Sequence, residues 1–322
     1  MRKVKWGVLG TADIARGQTI PGMQQAEHCS LHAIAGRKLE KAESYQKTFG
    51  FQKAYGSYDE LLADAEVEAV YIPLPNDLHC EWTLKALKAH KHVLCEKPLA
   101  VSEKQAAEMF QAAEENGVYL MEAYAYLHSP FVKAVKAELN SSAIGEIRYM
   151  ESAFITGRRP DTDIRLRKET CGGALYDLGC YTVSMAMWLL EKEPEKVLAT
   201  AQFSEKNIDL FTSALLLYGS DTVVNLDCGM LLPRGRLDRF RLCGTLGEII
   251  SPVEFNQCGE IPYTMIMNGT RVEKTVKAPN NYMLEVEQLS KCVLGEEHPH
   301  VSKAFSLRVA RVMDRILNEI GY

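Results

Sequence analysis

The first 120 or so residues alternate short apolar runs with longer stretches whose apolar positions recur at helical spacing. Short apolar runs bounded by turn residues are typical of buried strands, and the periodic stretches between them are typical of helices. This alternation predicts a parallel, doubly wound sheet with right-handed crossovers. The predicted strands are Val4–Leu9, Leu31–Ala35, Ala69–Ile72, His92–Cys95 and Val118–Met121; the predicted helices begin near Asp13 and then cover Leu39–Phe49, Asp59–Ala63, Leu78–His90 and Glu103–Asn116.

The pattern changes after about Tyr124. It then predicts, in order, a helix over Pro130–Leu139, a strand over Glu146–Ile155, a polar segment over 157–170, a long apolar helix from Gly172 to about Leu190, several short strands between Val197 and Val276, and two closing helices. Turn signals between the short strands favour an antiparallel sheet. We therefore expect an α/β chain with a doubly wound parallel sheet in residues 1–122. Residues 123–322 are expected to form an α+β domain with an open, predominantly antiparallel sheet, whose C-terminal helix can pack back on the first domain.

The 322-residue chain is 47% hydrophobic and 25% charged, with a formal net charge of −5. These values are ordinary for a soluble globular protein, and they argue against nucleic acid or an anionic membrane as the main partner. No apolar run reaches the roughly 18 residues of a transmembrane helix, and no signal-peptide pattern opens the chain. The nine cysteines are scattered without a Cys-x-x-Cys pair, which favours reduced thiols in the cytoplasm over disulfides or a metal site.

The turn after the first strand is the first candidate site. In dinucleotide-binding proteins this turn brings backbone N–H groups and a helix N-terminus to a pyrophosphate. Gly10 and Ala15 fit the small residues that open and close a G-x-G-x-x-A pattern, but Ala12 replaces the middle glycine. A generic strand-to-helix turn fits equally well, and only the position at the start of the strand–helix alternation favours a cofactor.

Two basic residues, Arg37 and Lys38, follow the second strand. NAD-binding enzymes usually carry Asp or Glu here to bind the ribose, and NADP-binding enzymes carry a basic group. No carboxylate appears before Glu40, so Arg37 and Lys38 are candidates for charge-assisted hydrogen bonds to a 2′-phosphate. We expect NADP(H) as the preferred cofactor and NAD(H) as the alternative. If no cofactor binds here, Arg37 and Lys38 are simply two solvent-exposed basic residues in a loop.

Glu96-Lys97-Pro98 follows a buried strand, at the sheet edge where ligands collect in such folds. A lysine at this edge can hydrogen-bond a substrate oxygen and favour the ionised form of a neighbouring acid. The peptide bond before Pro98 is a candidate for the cis form. Taken alone, a lysine after a strand is more often a surface residue.

Asp177 and Tyr181 lie four residues apart in the apolar segment that follows Gly172-Gly173. In a helix this spacing places both on one face. A tyrosine hydroxyl, with an unperturbed pKa of about 10, needs a nearby cation to act as an acid or base near neutrality, and Lys97 is a candidate for that cation. The alternative is a buried structural Asp–Tyr pair.

Three motifs together resemble the Gfo/Idh/MocA family of oxidoreductases. They are Gly10-Thr11-Ala12, Glu96-Lys97-Pro98 and Gly172-Gly173-Ala174-Leu175-x-Asp177-x-Gly179-x-Tyr181, and their order and spacing match over nearly the whole chain. Glu122-Ala123-Tyr124 is similar to the family as well. Many members carry His at the Tyr181 position; tyrosine there is similar to the branch of NADP-dependent D-xylose dehydrogenases and dimeric dihydrodiol dehydrogenases.

The resemblance implies a Rossmann domain followed by the sheet-rich domain, and it implies roles for particular residues. Lys97 would hold the reacting oxygen, Tyr181 would exchange a proton with it, and Asp177 would orient the site. Arg165 and Tyr124 are candidates for substrate contact, with Arg158, Arg159 and Arg167 as alternatives to Arg165. The implied cofactor-binding residues are Gly10, Thr11, Ala12, Asp13, Ile14, Arg37, Lys38, Pro73, Leu74, Pro75, Asn76, His79, Glu96 and Lys97.

The resulting hypothesis is an NAD(P)-dependent dehydrogenase or reductase that acts on a small sugar, polyol or diol. Its partners are expected to be that polyhydroxylated substrate and a second copy of the chain, bound through the C-terminal sheet. A redox-silent NADP-binding sensor and an NAD-dependent glycosidase are the alternatives on the same scaffold, since a fold does not fix a chemistry. The presence of Lys97, Asp177 and Tyr181 favours the enzyme, because a sensor needs no acid/base group.

Overall fold

The computed structural model describes residues 2–251 and 255–322. The strands in these residues are β1 (Val4–Leu9), β2 (Cys29–Ala35), β3 (Lys53–Tyr55), β4 (Ala69–Ile72), β5 (His92–Glu96), β6 (Leu120–Ala123), β7 (Ile147–Gly157), β8 (Lys196–Phe203), β9 (Asp209–Tyr218), β10 (Thr222–Leu232), β11 (Arg236–Gly244), β12 (Gly247–Ser251), β13 (Gly259–Met267) and β14 (Thr270–Ala278). The α-helices are α1 (Ile20–Gln25), α2 (Leu39–Phe49), α3 (Tyr58–Ala63), α4 (Asn76–Lys88), α5 (Glu103–Glu115), α6 (Pro130–Asn140), α7 (Cys180–Leu190), α8 (Asn281–Val293) and α9 (Lys303–Ile320).

The first sheet has six parallel strands in the order β3-β2-β1-β4-β5-β6. All four residues of the central strand β4 are buried, as expected where helices cover both faces of a parallel sheet. This topology confirms the doubly wound sheet predicted from the alternation of elements. Strand β3 was not predicted, because it has only three residues and all three are half-exposed.

The second sheet has eight strands in the order β14-β13-β12-β11-β7-β10-β9-β8. Neighbouring strands are antiparallel except for β7 and β10, which are parallel. Buried and half-exposed residues alternate along β9 and β10, so one face of the sheet is the core face. The prediction of an open, predominantly antiparallel sheet is confirmed.

The chain forms two compact units. The first comprises the chain up to Ala100, Lys104–His128 and Pro279–Ser306; the second comprises Val101–Glu103, the described part of Ser129–Ala278, and Leu307–Tyr322. Helix α8 therefore belongs to the first unit although it follows the second sheet in sequence. The boundary between residues 122 and 123 stays a prediction.

The structure has helices at both of these predicted places, near Asp13 and after Gly173, and each contains a π-helical turn that the sequence pattern does not predict. Ala15–Thr19 leads into α1, and Leu175–Gly179 leads into α7. A π-helical turn pairs residues five apart rather than four, and such turns are frequent at functional sites. None of the described helices combines the length and apolar composition needed to cross a bilayer.

Candidate active site

In the first unit, Gly10 follows β1 and has a φ of +132°, which few residues other than glycine adopt. Its N–H donates to the carbonyl oxygen of Ala35 (2.9 Å), and a Cβ on Gly10 would lie 3.2 Å from the Leu74 side chain. The positive φ and the close Leu74 side chain together explain the glycine at this turn. Thr11, Ala12 and Ile14 follow as half-buried residues, and Asp13 is exposed.

The end of β2 carries a cluster of basic side chains. Arg37 and Lys38 are exposed there. Lys41, in the first turn of α2, donates from Nζ to the carbonyl oxygen of Thr11 (3.1 Å), and the Tyr45 hydroxyl donates to the same oxygen (3.1 Å). Lys41 therefore joins the two predicted basic residues beside the turn. Lys41 was not predicted, because an exposed lysine in a first helical turn belongs to no motif.

The loop from β4 to α4 contains Pro73, Leu74 and Pro75, and α4 begins at Asn76; Pro73 is buried and the other three are half-buried. His79 is fully buried, with Nδ1 2.8 Å from the carbonyl oxygen of Pro98 and Nε2 2.8 Å from that of Leu74. Burial lowers the pKa of His79, and the two carbonyl contacts oppose this effect. Both ring nitrogens are engaged within the protein, so any effect of His79 on a cofactor passes through the two loops that it joins.

Glu96 and Lys97 are held by a buried set of hydrogen bonds. The Tyr71 hydroxyl donates to Glu96 Oε1 (2.6 Å) and accepts from Thr19 Oγ1 (2.9 Å). The Lys97 N–H lies 3.3 Å from Glu96 Oε2, and the Lys97–Pro98 peptide bond is cis. Burial, followed by the neighbouring Glu96, raises the pKa of Tyr71 well above its ordinary value, so Tyr71 is a neutral donor to Glu96.

Glu122, at the end of β6, supports the same loop. Its Oε1 accepts from the N–H of Leu99 (2.9 Å), two residues after Lys97. Burial raises the pKa of Glu122 to about 7, and the Ser306, Leu99 and Tyr124 groups oppose that rise. Tyr124 itself has no exposed surface and packs edge-on against Tyr126. Tyr124 is thus a core residue in this structure, and its predicted contact with substrate stays a prediction.

In the second unit, two adjacent glycines allow three segments to meet. The Gly172 N–H donates to the carbonyl oxygen of Arg167 (2.9 Å), and the Gly173 N–H donates to that of Arg165 (2.8 Å). A Cβ on Gly172 would lie 2.4 Å from the Arg165 oxygen, and a Cβ on Gly173 would lie 1.9 Å from Asp209 Oδ1. Gly173 also has a φ of +120°. Close backbone approach is the physical reason for glycine at both positions.

Asp209, the first residue of β9, holds the start of the π-helical turn. Its Oδ2 accepts from the N–H of Leu175 (2.7 Å) and from Thr212 Oγ1 (2.9 Å). The carboxyl group is fully buried, and burial raises the pKa of Asp209 to about 6. Asp209 was not predicted, since nothing in an isolated Ile-Asp-Leu stretch indicates a buried carboxyl group.

Asp177 lies within the π-helical turn and Tyr181 lies in the first turn of α7. Asp177 Oδ2 accepts from Arg165 Nε (2.8 Å) and lies 3.7 Å from the Arg159 guanidinium. Asp177, followed by Asp163, raises the pKa of Arg165, so this pair is ionised. The structure thus brings together Asp177 and the predicted Arg165, and it adds Arg159 to them.

The Tyr181 ring is fixed by aromatic neighbours that the sequence did not reveal. Phe154 and Phe255 each lie 5.2 Å from it, centroid to centroid, and Asn256 Nδ2 donates to the Tyr181 hydroxyl oxygen (3.4 Å). This donor orients the Tyr181 hydroxyl group. The second unit therefore presents an oriented phenol beside an ion-paired carboxylate, which is an arrangement suited to proton exchange.

Two protein-family models match this chain, one in the part that contains the first sheet and one in the part that contains the second. Residues 4–124 match an oxidoreductase family with an NAD-binding Rossmann fold, GFO/IDH/MocA, and residues 132–250 match the GFO/IDH/MocA C-terminal domain. D-xylose 1-dehydrogenase (NADP(+)) 2 of Haloferax volcanii is 36% identical, over 97% of this chain and 95% of its own. Trans-1,2-dihydrobenzene-1,2-diol dehydrogenase of Xenopus laevis is 31% identical, over 98% of each chain.

Among solved structures, a 3-ketoreductase from Actinomadura kijaniata in complex with NADP and TDP-benzene superposes with a TM-score of 0.93. It is 30% identical, and the alignment covers 99% of this chain and 98% of that one. The match extends over both units, so the resemblance found in the sequence motifs is confirmed. The chain belongs to the Gfo/Idh/MocA family of NAD(P)-dependent oxidoreductases.

Proposed function

We propose that the protein is an NADP(H)-dependent dehydrogenase or reductase that interconverts a CH–OH group and a carbonyl group in a sugar, polyol or diol. The observation that carries this proposal is the Tyr181 hydroxyl, which is hydrogen-bonded by Asn256 and lies on the same segment as the ion-paired Asp177. Oxidation of a CH–OH group releases the hydroxyl proton, and the reverse reduction requires one, so a placed acid/base is needed.

Within this proposal each predicted catalytic residue has one task. Tyr181 exchanges the proton with the substrate oxygen, and Asp177 orients the substrate. Lys97 hydrogen-bonds the reacting oxygen. Glu96, held by Tyr71, sets the position of the Lys97 backbone.

The first unit fits a dinucleotide with a 2′-phosphate. Gly10 supplies the positive φ of the turn where a pyrophosphate would bind, and the corner beside it carries Arg37, Lys38 and Lys41. NADP(H), when bound, supplies or accepts the hydride. The residues that would hold it are those of the turn, the basic corner and the Pro73–Asn76 loop, with NAD(H) as the weaker cofactor.

The proposal is tested by measuring turnover of aldoses, polyols, diols and ketosugars with NADP(H) and with NAD(H). We expect turnover with a lower KM for the NADP form, and Arg37→Ala is expected to raise that KM roughly tenfold while leaving the NAD form unchanged. Lys88→Ala, at an exposed lysine ending α4, is the matched control. Equal KM values for both cofactors in every variant would show that the basic corner does not select NADP.

Tyr181→Phe tests the acid/base role separately. Loss of the hydroxyl is expected to lower kcat roughly 10²–10⁴-fold, with little change in cofactor affinity. Intact turnover in this variant would contradict the role of Tyr181. Absence of turnover by the unmodified protein on the whole panel would instead favour the redox-silent sensor.

We also propose a cytoplasmic homodimer joined through the eight-stranded sheet. The sheet face opposite the core presents Leu198 of β8, which is exposed and pairs in register with half-exposed Leu215 of β9. All nine cysteines are free thiols, which suits a reducing compartment. Light scattering on the purified protein would test the dimer, and Leu198→Glu is expected to shift it toward monomer.

A further inference from the structure

The peptide unit between Gly172 and Gly173 is held from both sides. Its carbonyl oxygen, on Gly172, accepts from the Tyr322 hydroxyl (2.6 Å), and its N–H, on Gly173, donates to the carbonyl oxygen of Arg165 (2.8 Å). Because a peptide unit is planar, contacts on two opposite edges fix its orientation. Glycine has the widest choice of backbone conformations, so the two residues themselves restrict this peptide little. Its orientation therefore depends on the groups that contact it.

Gly173 belongs to a closed ring of hydrogen bonds that includes Asp177. The Gly173 N–H donates to the Arg165 carbonyl oxygen, and Arg165 Nε donates to Asp177 Oδ2 (2.8 Å). The Asp177 N–H then donates to the carbonyl oxygen of Gly173 (3.1 Å), which closes the ring. The ring ties the Asp177 carboxylate to the backbone of Gly173. A rotation of the peptide before Gly173 would therefore also displace this carboxylate.

Tyr322 is itself held by its neighbours. Its ring stacks on Phe203, with the centroids 6.2 Å and the planes 17° apart, and it meets the Tyr176 ring edge-on at 6.0 Å. Its N–H donates to the carbonyl oxygen of Leu317 (3.0 Å). Burial raises the pKa of Tyr322 above its ordinary value, so the hydroxyl stays protonated and donates at physiological pH. Tyr322 thus offers the Gly172 carbonyl a donor whose position is already set.

We propose that Tyr322 is a positioning residue for the reaction, whose hydroxyl holds the Gly172–Gly173 peptide and, through the hydrogen-bond ring, the Asp177 carboxylate. This inference rests on the proposed function, in which Asp177 orients the substrate, and adds a residue to it. Tyr322 acts through the main chain, so its task requires no contact with substrate. A shift of about 1 Å in an orienting group can cost roughly 10²-fold in rate, so one hydrogen bond at this place affects turnover.

Two substitutions separate the hydroxyl from the ring. Tyr322→Phe is expected to lower kcat about tenfold on a substrate found in the panel above, with the KM for NADP(H) unchanged, because the proposed cofactor residues lie in the first unit. Tyr322→Leu, which also loses the stacking, is expected to lose kcat by a similar factor and to unfold at lower urea. Tyr119→Phe, at a half-exposed tyrosine that stacks on His92, is the matched control and is expected to keep the kcat of the unmodified protein.

Hydrogen–deuterium exchange read by mass spectrometry tests the same contact without turnover. In Tyr322→Phe the amides of residues 172–181 are expected to exchange roughly five to ten times faster than in the unmodified protein, while those of β1 and β4 keep their rates. Unchanged exchange in residues 172–181 would show that the hydroxyl does not hold the turn. Equal acceleration along the whole chain would show a general loss of stability. Either result overturns the inference.

The kinetic outcomes distinguish this inference from the proposed function. If Tyr322→Phe keeps the kcat of the unmodified protein and only Tyr322→Leu loses it, Tyr322 is a packing residue; the inference is then overturned and the proposed function stands. If the unmodified protein turns over none of the compounds with either cofactor, the proposed function fails. The exchange measurement alone then supports or overturns the hold of Tyr322 on the turn that carries Asp177.

Discussion

Glu122→Gln removes the charge from a fully buried carboxyl group while keeping its shape and an oxygen that can accept from the N–H of Leu99. Burial raises the pKa of Glu122 from 4.5 to about 7 in the folded chain. The folded state therefore binds a proton more tightly than the unfolded state. The stability contributed by the neutral carboxyl is fully present below pH 4.5 and is lost as the pH rises to about 7.

The size of the effect follows from the shift. One pKa unit corresponds to about 1.4 kcal/mol, so the raised pKa of Glu122 lowers the free energy of unfolding by at most about 3 kcal/mol above pH 7. Between pH 5.5 and pH 8 the accessible part of this change is about 2 kcal/mol. As the pH rises from 5.5 to 8, the free energy of unfolding of Glu122→Gln is therefore expected to rise by about 2 kcal/mol relative to that of the unmodified protein. Any effect of the substitution that does not depend on pH adds the same constant difference at every pH.

Urea denaturation at four pH values between 5.5 and 8 measures the difference between the two proteins. Glu43→Gln, at an exposed glutamate of α2, is the matched control and is expected to give a difference that does not change with pH. Parallel pH curves for Glu122→Gln and the unmodified protein would refute the reasoning, because they would mean that Glu122 titrates alike in both states.

Three further predictions concern the backbone around the site. Gly173→Ala places a methyl group 1.9 Å from Asp209 Oδ1 at a positive φ, and is expected to lower the free energy of unfolding by roughly 2–3 kcal/mol, read by urea denaturation. Asp209→Ala is expected to lose about 1–2 kcal/mol with the Leu175 hydrogen bond, while Asp209→Asn, which retains the acceptor and has no charge to bury, is expected to match or exceed the unmodified protein above pH 6. Gly10→Ala is expected to raise the cofactor dissociation constant at least tenfold in a fluorescence titration, with the substrate KM extrapolated to saturating cofactor unchanged.

The sequence predicts the parallel sheet well because its signal is physical burial. The continuous apolar run of β4 can only be stable where both faces of a strand are covered, so the run itself reports the architecture. Strand β3 shows the limit of this reasoning, since it pairs through its backbone and its three residues bury little apolar surface. Because main-chain hydrogen bonds do not depend on side-chain type, the pattern of apolar and polar residues does not reveal them.

Site residues that belong to a sequence motif are predicted, and site residues that stand alone in the sequence are missed. Lys97, Asp177 and Tyr181 stand in recognisable patterns, whereas Asn256 and Asp209 each enter the site from a distant part of the chain. Their roles depend on burial and on the group they face, and neither quantity is encoded locally. Burial is equally hidden from the sequence at Tyr124, a predicted substrate contact whose side chain has no exposed surface.

The π-helical turn at Leu175–Gly179 contains one residue more than an α-helical turn over the same rise needs. Deleting one residue there would let the segment close as ordinary α-helix, with α7 still packed on its sheet. The side chain of Asp177 would then point about 100° away from its present direction relative to Tyr181. Such a deletion is a natural route by which a relative could keep this fold and its thermal stability while losing its chemistry.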